Sequence, residues 1–154
     1  MARGKFPWVT TTPATWICDE CGETIDEPGQ GIVVWTQSRD DDSAVDRFRI
    51  VHKETSGRQC DPGGNSRWVD VSRLVGADGL AYLLSFLSVG PILGGGGLKI
   101  RDFDNYVDTV RRLQTLGYEE ARSKFDTQEV ADRFGDANEY FPYLTEPLEK
   151  ISRL

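Results

Sequence analysis

The chain has 154 residues, a mass of 17.3 kDa and a formal net charge of −7. That length allows one ordinary hydrophobic core and excludes two large independent domains. Hydrophobic residues make up 38% of the sequence, which excludes a wholly disordered chain. Lys and Arg number nine against twelve Asp and Glu in residues 1–75, and nine against thirteen in residues 76–154. Both halves are acidic, which disfavours nucleic acids and anionic membranes as partners.

The sequence shows no signal for secretion or for membrane insertion. Its first residues lack an apolar run of signal-peptide length, and the longest apolar stretch, Leu80 to Leu93, is shorter than the ~20 residues that cross a bilayer. We therefore expect a cytoplasmic protein that does not bind membranes. In that compartment three cysteines indicate metal ligation rather than disulfides.

The first half of the chain has the patterns of a small β structure. Residues 1–15 contain prolines and no helical period, which predicts an extended arm. Two runs rich in β-branched and aromatic residues, 32–36 and 47–53, predict an antiparallel hairpin with a polar connection. Alternation in the second run places Phe48, Ile50 and His52 on the inner face.

From residue 76 onwards the apolar period becomes helical. Four leucines between Leu80 and Leu87 predict a nearly buried helix that Asp78 would cap. The run Gly94–Gly97 predicts a hinge. The helix that follows Asp102 is expected to carry Arg111 and Arg112 on its outer face. Further helices are predicted over Tyr118 to Phe125, over Gln128 to Phe134 and from Thr145 through Ile151.

The three cysteines and the only histidine predict one metal site. Cys18 and Cys21 are two residues apart, so both sulfurs can reach one ion, and the following Gly22 suits a turn with positive φ. His52 at a strand end and Cys60 complete a Cys3His set, which zinc prefers. Two alternatives stay open: Asp61 as an oxygen donor in this set, and free thiols in a metal-free fold.

The segment from Trp16 to Gly22, together with the hairpin that leads to His52, resembles zinc ribbons and zinc knuckles. The resemblance covers about a third of the chain. It implies a structural zinc module that docks onto a protein or a nucleic acid. The second ligand pair, His52 and Cys60, has seven intervening residues instead of the two of the commonest ribbon.

A nucleic-acid interface is the first alternative function. All four tryptophans lie in the first half, where they could stack on bases beside arginines. The surface predicted for this role contains Trp35, Arg47 and Arg49. The competing interpretation assigns the tryptophans to the core of the β module.

Taken together, these patterns predict an α+β protein. Residues 16–75 form a zinc-stapled antiparallel β module, and residues 76–154 form a compact helical region packed on it. The predicted function is that of a structural-zinc protein acting as a binding, adaptor or regulatory module, with a protein as its partner. An enzyme is disfavoured, because four protein ligands close the metal site and commit the histidine. A zinc-dependent hydrolase with an open metal site is the second alternative.

Overall fold

The computed structural model describes residues 12–54, 57–64, 66–134 and 142–154. It confirms the α+β class. Residues 1–11 of the predicted arm, Trp8 among them, lie outside the described residues. The strands are β1 (Trp16–Ile17), β2 (Thr24–Ile25), β3 (Gly31–Gln37), β4 (Ala44–His52), β5 (Ser66–Asp70) and β6 (Lys99–Ile100). The helices are α1 (Gly76–Leu87), α2 (Phe103–Gln114), α3 (Tyr118–Arg122), α4 (Gln128–Phe134) and α5 (Thr145–Ser152).

A four-stranded sheet with the order β5-β3-β4-β6 forms the centre of the fold. The predicted hairpin is confirmed, since β3 and β4 pair antiparallel, with Gly31 opposite His52. The two outer strands, β5 and β6, were not predicted from the sequence. β5 is an edge strand in which the neighbouring residues Arg67 and Trp68 are both exposed, and β6 is a two-residue strand parallel to β4. Neither has the alternation that identifies a half-buried strand.

β6 covers only the first residues of β4. Further along the same side of β4, the side chains of Asn105 and Asp19 hydrogen-bond to its backbone. The amide of Asn105 on α2 accepts from the N–H of Phe48 at 2.8 Å and donates to its carbonyl oxygen at 3.0 Å. The carboxylate of Asp19 accepts from the N–H of Ile50 at 2.7 Å, and the N–H of Asp19 donates to the Ile50 carbonyl at 2.8 Å. The N–H and C=O groups of Phe48 and Ile50, which β6 is too short to reach, are thus hydrogen-bonded within the chain.

A β-bulge in β4 places Arg47 and Phe48 opposite Trp35 of β3. Arg47 has a φ of 58°, and no other non-glycine residue in the described ranges has positive φ. Phe48 therefore turns inward and stacks on Trp35, with 5.7 Å between the ring centroids. Trp35 also meets Phe86 edge-on, with 5.1 Å between the ring centroids. Trp35 is only 9% exposed. Its prediction as a surface residue is wrong, because Phe48 of the bulge and Phe86 of α1 pack against its ring.

Helix α1 differs from the prediction in its start and in its burial. It begins at Gly76, so Asp78 lies inside the first turn instead of capping it. Leu83 is buried, but Leu84 is 55% exposed, so the helix is not nearly buried. By contrast, Asp102 caps α2 as predicted, because its carboxylate accepts from the N–H of Asn105 at 3.0 Å.

The sheet and the first two helices share one buried cluster. Val33 and Ile50 of the sheet belong to it together with Phe86 of α1 and Tyr106 of α2. Buried residues from both sides of position 75 therefore contact each other. Helices α3, α4 and α5 form a second, smaller cluster around Tyr118 and Leu148.

The glycine run Gly94–Gly97 closes the loop after α1. The N–H of Val89 donates to Gly96 O at 2.7 Å, and the N–H of Leu98 donates to Phe86 O at 2.8 Å. A Cβ on Gly97 would lie 2.1 Å from Leu87 O. Backbone contact with the end of α1 thus explains the glycine at this position.

Gly97→Ala is expected to destabilise the protein by about 1–3 kcal/mol, because the added methyl group overlaps backbone atoms that cannot move aside cheaply. Gly29→Ala is the matched control, since a Cβ there meets nothing within 4 Å. Urea unfolding of both variants measures the difference. Equal unfolding midpoints for the two variants would contradict the contact.

Candidate metal centre

The structure brings the four predicted ligands together. Cys18 directly follows β1, and Cys21 lies in the turn between β1 and β2. His52 is the last residue of β4, and Cys60 lies in the loop that leads to β5. One ligand atom from each residue lies within 4.8 Å of all the others. This Cys3His cluster could hold a metal ion.

The turn that carries Cys18 and Cys21 is a tight knuckle. The N–H of Gly22 donates to Cys18 O at 2.9 Å, and the N–H of Cys18 donates to Glu23 O at 2.9 Å. Gly22 has a φ of 75°, a conformation that residues with a Cβ rarely adopt. The glycine predicted from the sequence is therefore required by the backbone. It lets the chain reverse and present both sulfurs on one side.

His52 is oriented by its second ring nitrogen. Nε2 lies 3.1 Å from the carbonyl oxygen of Thr24, to which it can only donate a proton. Nδ1 is then left with a free lone pair, and it lies 3.4 Å from Cys21 Sγ and 3.8 Å from Cys60 Sγ. A backbone carbonyl that fixes the histidine tautomer is the usual outer-shell arrangement of a metal site.

The two distances from His52 Nδ1 to sulfur are those expected around a tetrahedral metal ion. Zinc–sulfur bonds of about 2.3 Å and zinc–nitrogen bonds of about 2.0 Å in a tetrahedron place the two ligand atoms about 3.5 Å apart. The two sulfur–nitrogen distances, 3.4 and 3.8 Å, lie on either side of that value. The carboxylate of Asp61 is exposed and accepts from the N–H of Gly63 at 3.0 Å. Asp61 is not part of the cluster; Cys60 is the fourth donor.

When no cation is bound, the surroundings of the cysteines do not keep all of them as thiolates. Burial alone would raise the pKa of Cys18, but hydrogen bonds from the backbone N–H groups of Cys21 and Glu20 and from His52 lower it to about 7. Burial and the two neighbouring cysteines raise the pKa of Cys60 to about 12. Three thiolates cannot lie side by side without a compensating charge, which a divalent cation supplies.

Arg112, predicted to lie on an outer helix face, is instead an electrostatic link between the knuckle and the helices. Its side chain is 2% exposed. The guanidinium donates to Asp19 Oδ2 at 2.6 Å and to both carboxylate oxygens of Glu119 at 2.8 Å. It also donates to the carbonyl oxygen of Ile17 at 2.9 Å. The prediction for Arg112 is wrong, because the knuckle packs on that side of α2.

The same network orders the residues before the first cysteine. Glu119 Oε1 accepts from the N–H of Ile17 at 2.9 Å, and the indole N–H of Trp16 donates to Arg112 O at 3.0 Å. Trp16 is fully buried, as a core tryptophan should be. No local motif indicates this network, because its partners are about a hundred residues apart in sequence.

The fold separates Trp35 from Arg47 and Arg49, the other two residues predicted as an interaction surface. Trp35 lies in the core, whereas Arg47 is exposed. Arg49 is partly exposed and forms a salt bridge of 3.3 Å with Glu20 of the knuckle. Of the tryptophans in the described ranges, Trp68 is the exposed one, and the ammonium of Lys53 lies 5.8 Å from its ring centre.

None of the helices in the described ranges combines the length and apolar character needed to cross a bilayer. Comparison with known proteins finds no matching family model, no matching curated protein and no matching solved structure. Inference about function therefore starts from the geometry of the metal centre and of the surface.

Proposed function

We propose that the chain is a structural-zinc protein that binds another protein through an apolar groove between α1 and α2. The groove is the observation that carries the proposal. It has a volume of about 290 Å³, and Arg111 is the charged side chain among the described residues that line it. Leu80 is 43% exposed, Leu84 55% and Phe103 54%. Contiguous exposed apolar side chains are typical of interaction sites.

Amphipathic helices commonly bind in such grooves through apolar anchors. The charge of the groove adds one further requirement for the partner. Arg111 is held in place by its position over the ring of Tyr143, 4.2 Å from the ring centre. A fixed positive charge at the wall of an apolar groove favours a carboxylate on the bound segment. We therefore expect an amphipathic helix with leucine-like anchors and an Asp or Glu beside them.

The zinc centre has a structural role in this proposal. Its four protein donors form a closed tetrahedral set, whereas catalytic zinc keeps one position for water or substrate. A hydrolase would need one of the four ligands to leave the metal. X-ray absorption of the zinc protein should show three sulfurs and one nitrogen; an oxygen ligand in place of one of them would favour the hydrolase instead.

The groove is tested by photo-crosslinking in the native host, with a benzophenone amino acid at position 84. The captured protein is then purified, and its affinity for the unmodified chain is measured. Leu84→Glu should weaken that affinity by about tenfold or more, because it places a buried charge among apolar groups.

Leu116→Glu is the matched control, since Leu116 is 40% exposed and does not line the groove. Both variants should keep their zinc and their circular dichroism spectrum. Equal affinities of the two variants, or a captured protein that binds neither the unmodified chain nor the variants in purified form, would overturn the role of the groove.

A further inference from the structure

Three adjoining depressions form a continuous surface where β3 ends and β4 begins. Their volumes are about 250, 500 and 210 Å³. The first and second share Ser66, and the second and third share Thr36 and Arg47. We call this surface the arginine cleft, after the residues that dominate its lining: Arg39, Arg47, Arg49, Arg67 and Arg101.

The arginine cleft is positive in a protein that is negative overall. Five arginines line it against three aspartates, a net formal charge of +2, whereas the whole chain carries −7. Four of the five arginines take part in no salt bridge within the described ranges; the exception is Arg49. Arg67 donates to Gln37 Oε1 at 2.7 Å and Arg101 to Ser38 Oγ at 3.5 Å. Both partners are neutral, so neither guanidinium pairs with a carboxylate in the part of the chain that the structure describes.

Two of the aspartates in the cleft already accept hydrogen bonds from the backbone. Asp46 Oδ1 accepts from the N–H of Arg47 at 2.8 Å, and Asp102 Oδ1 accepts from the N–H of Asn105 at 3.0 Å. These carboxylates cap local backbone groups instead of pairing with the arginines.

Arg47 has a backbone conformation that only glycine adopts without a cost in free energy. Its φ of 58° is left-handed, and this conformation is unfavourable for a residue with a Cβ. The bulge nevertheless places an arginine here, exposed and lining both the second and the third depression. Strain of this kind is concentrated at functional positions.

We propose that the arginine cleft binds a compact oligophosphate, such as the di- or triphosphate group of a small ligand. Arginine forks match phosphate oxygens, and the cleft offers several forks within one continuous surface. The lining has one aromatic ring, Phe48, which is 3% exposed and cannot stack on a base. A long polynucleotide would also meet the field of the −7 chain, whereas a compact anion stays within the local positive field.

Calorimetric titration of the zinc-loaded protein with tripolyphosphate at low salt tests the site. Saturable binding is expected, and Arg47→Gly should weaken it by roughly tenfold or more through loss of one charge-assisted contact. This variant should fold, because glycine accepts the conformation of position 47. Arg133→Gln removes an exposed arginine outside the cleft and is the matched control.

Zinc chelation by the probe would affect the Arg47→Gly variant and the unmodified protein alike, so the difference between them reports the cleft. A titration with twelve-residue oligothymidylate shows whether the cleft binds a compact oligophosphate or the phosphate backbone of a nucleic acid. The proposal is overturned if tripolyphosphate does not bind, if the Arg47→Gly and Arg133→Gln variants bind it equally, or if the oligonucleotide binds and tripolyphosphate does not.

Discussion

The Cys18→Ser variant is expected to lose its zinc and to unfold the knuckle together with the sheet edge that the knuckle covers. Structural zinc contributes about 10–16 kcal/mol in small zinc modules at neutral pH. That amount is comparable to the whole stability of a domain, about 5–15 kcal/mol. Cys18 is 1% exposed and belongs to the buried cluster with Trp16, so its loss reaches the core directly.

Metal content and thermal unfolding of the purified protein measure this effect. The unmodified chain should contain about one zinc per molecule, and a strong chelator should reproduce the unfolding of the variant. Asp61→Asn is the control, because Asp61 lies outside the cluster and should leave metal content unchanged. An unmodified protein that is stable and metal-free would contradict the zinc centre.

Arg112→Met is expected to destabilise the protein by about 3–5 kcal/mol, because removing one partner of a buried ion pair leaves the other charge without compensation. Glu119 and Asp19 would both lose their cation, and the Glu119 side chain is only 5% exposed. Urea unfolding measures the free-energy change. The variant should keep its zinc, since none of the four ligands has been removed.

The double variant Arg112→Met/Glu119→Leu separates the ion pair from simple loss of packing. Replacing Arg112 and Glu119 with apolar residues removes the more deeply buried of the two uncompensated carboxylates, while Asp19, whose side chain is 23% exposed, keeps its charge. The double variant should therefore be more stable than Arg112→Met alone. If the free-energy changes of the two substitutions simply add, the two side chains are not coupled, and Arg112 stabilises the protein only through its packing.

The ligand set could be predicted because it depends on residue types that are rare in this chain. Cys18, Cys21, His52 and Cys60 include every cysteine and histidine present, and strand alternation turns His52 inward. The hairpin was predictable because β3 and β4 contain long β-branched runs. These signals are local, and local signals depend little on the rest of the fold.

The predictions that were wrong concern residues whose surroundings are formed by parts of the chain that are distant in sequence. The leucines of α1 have the period of a buried helix, but only one side of the helix meets the sheet, so Leu84 stays exposed. The helical period places Arg112 on the face of α2 opposite the core, but the knuckle packs on that face and buries it. Trp35 is buried by a bulge that depends on the unusual backbone of Arg47. Periodicity gives the face of an element but not what covers that face.

The completion of the β4 edge by Asn105 has a consequence for synthesis of the chain on the ribosome. When residue 75 has just been added, β3 and β4 are complete, but the groups that bond Ser43, Val45 and Phe48 have not yet been made. Adding the next 30 or so residues takes roughly two to six seconds. During that interval the nascent sheet presents an open edge that can pair with neighbouring nascent chains. Early metal capture by the knuckle, whose Asp19 already bonds Ile50, would shorten the length of edge left open to aggregation.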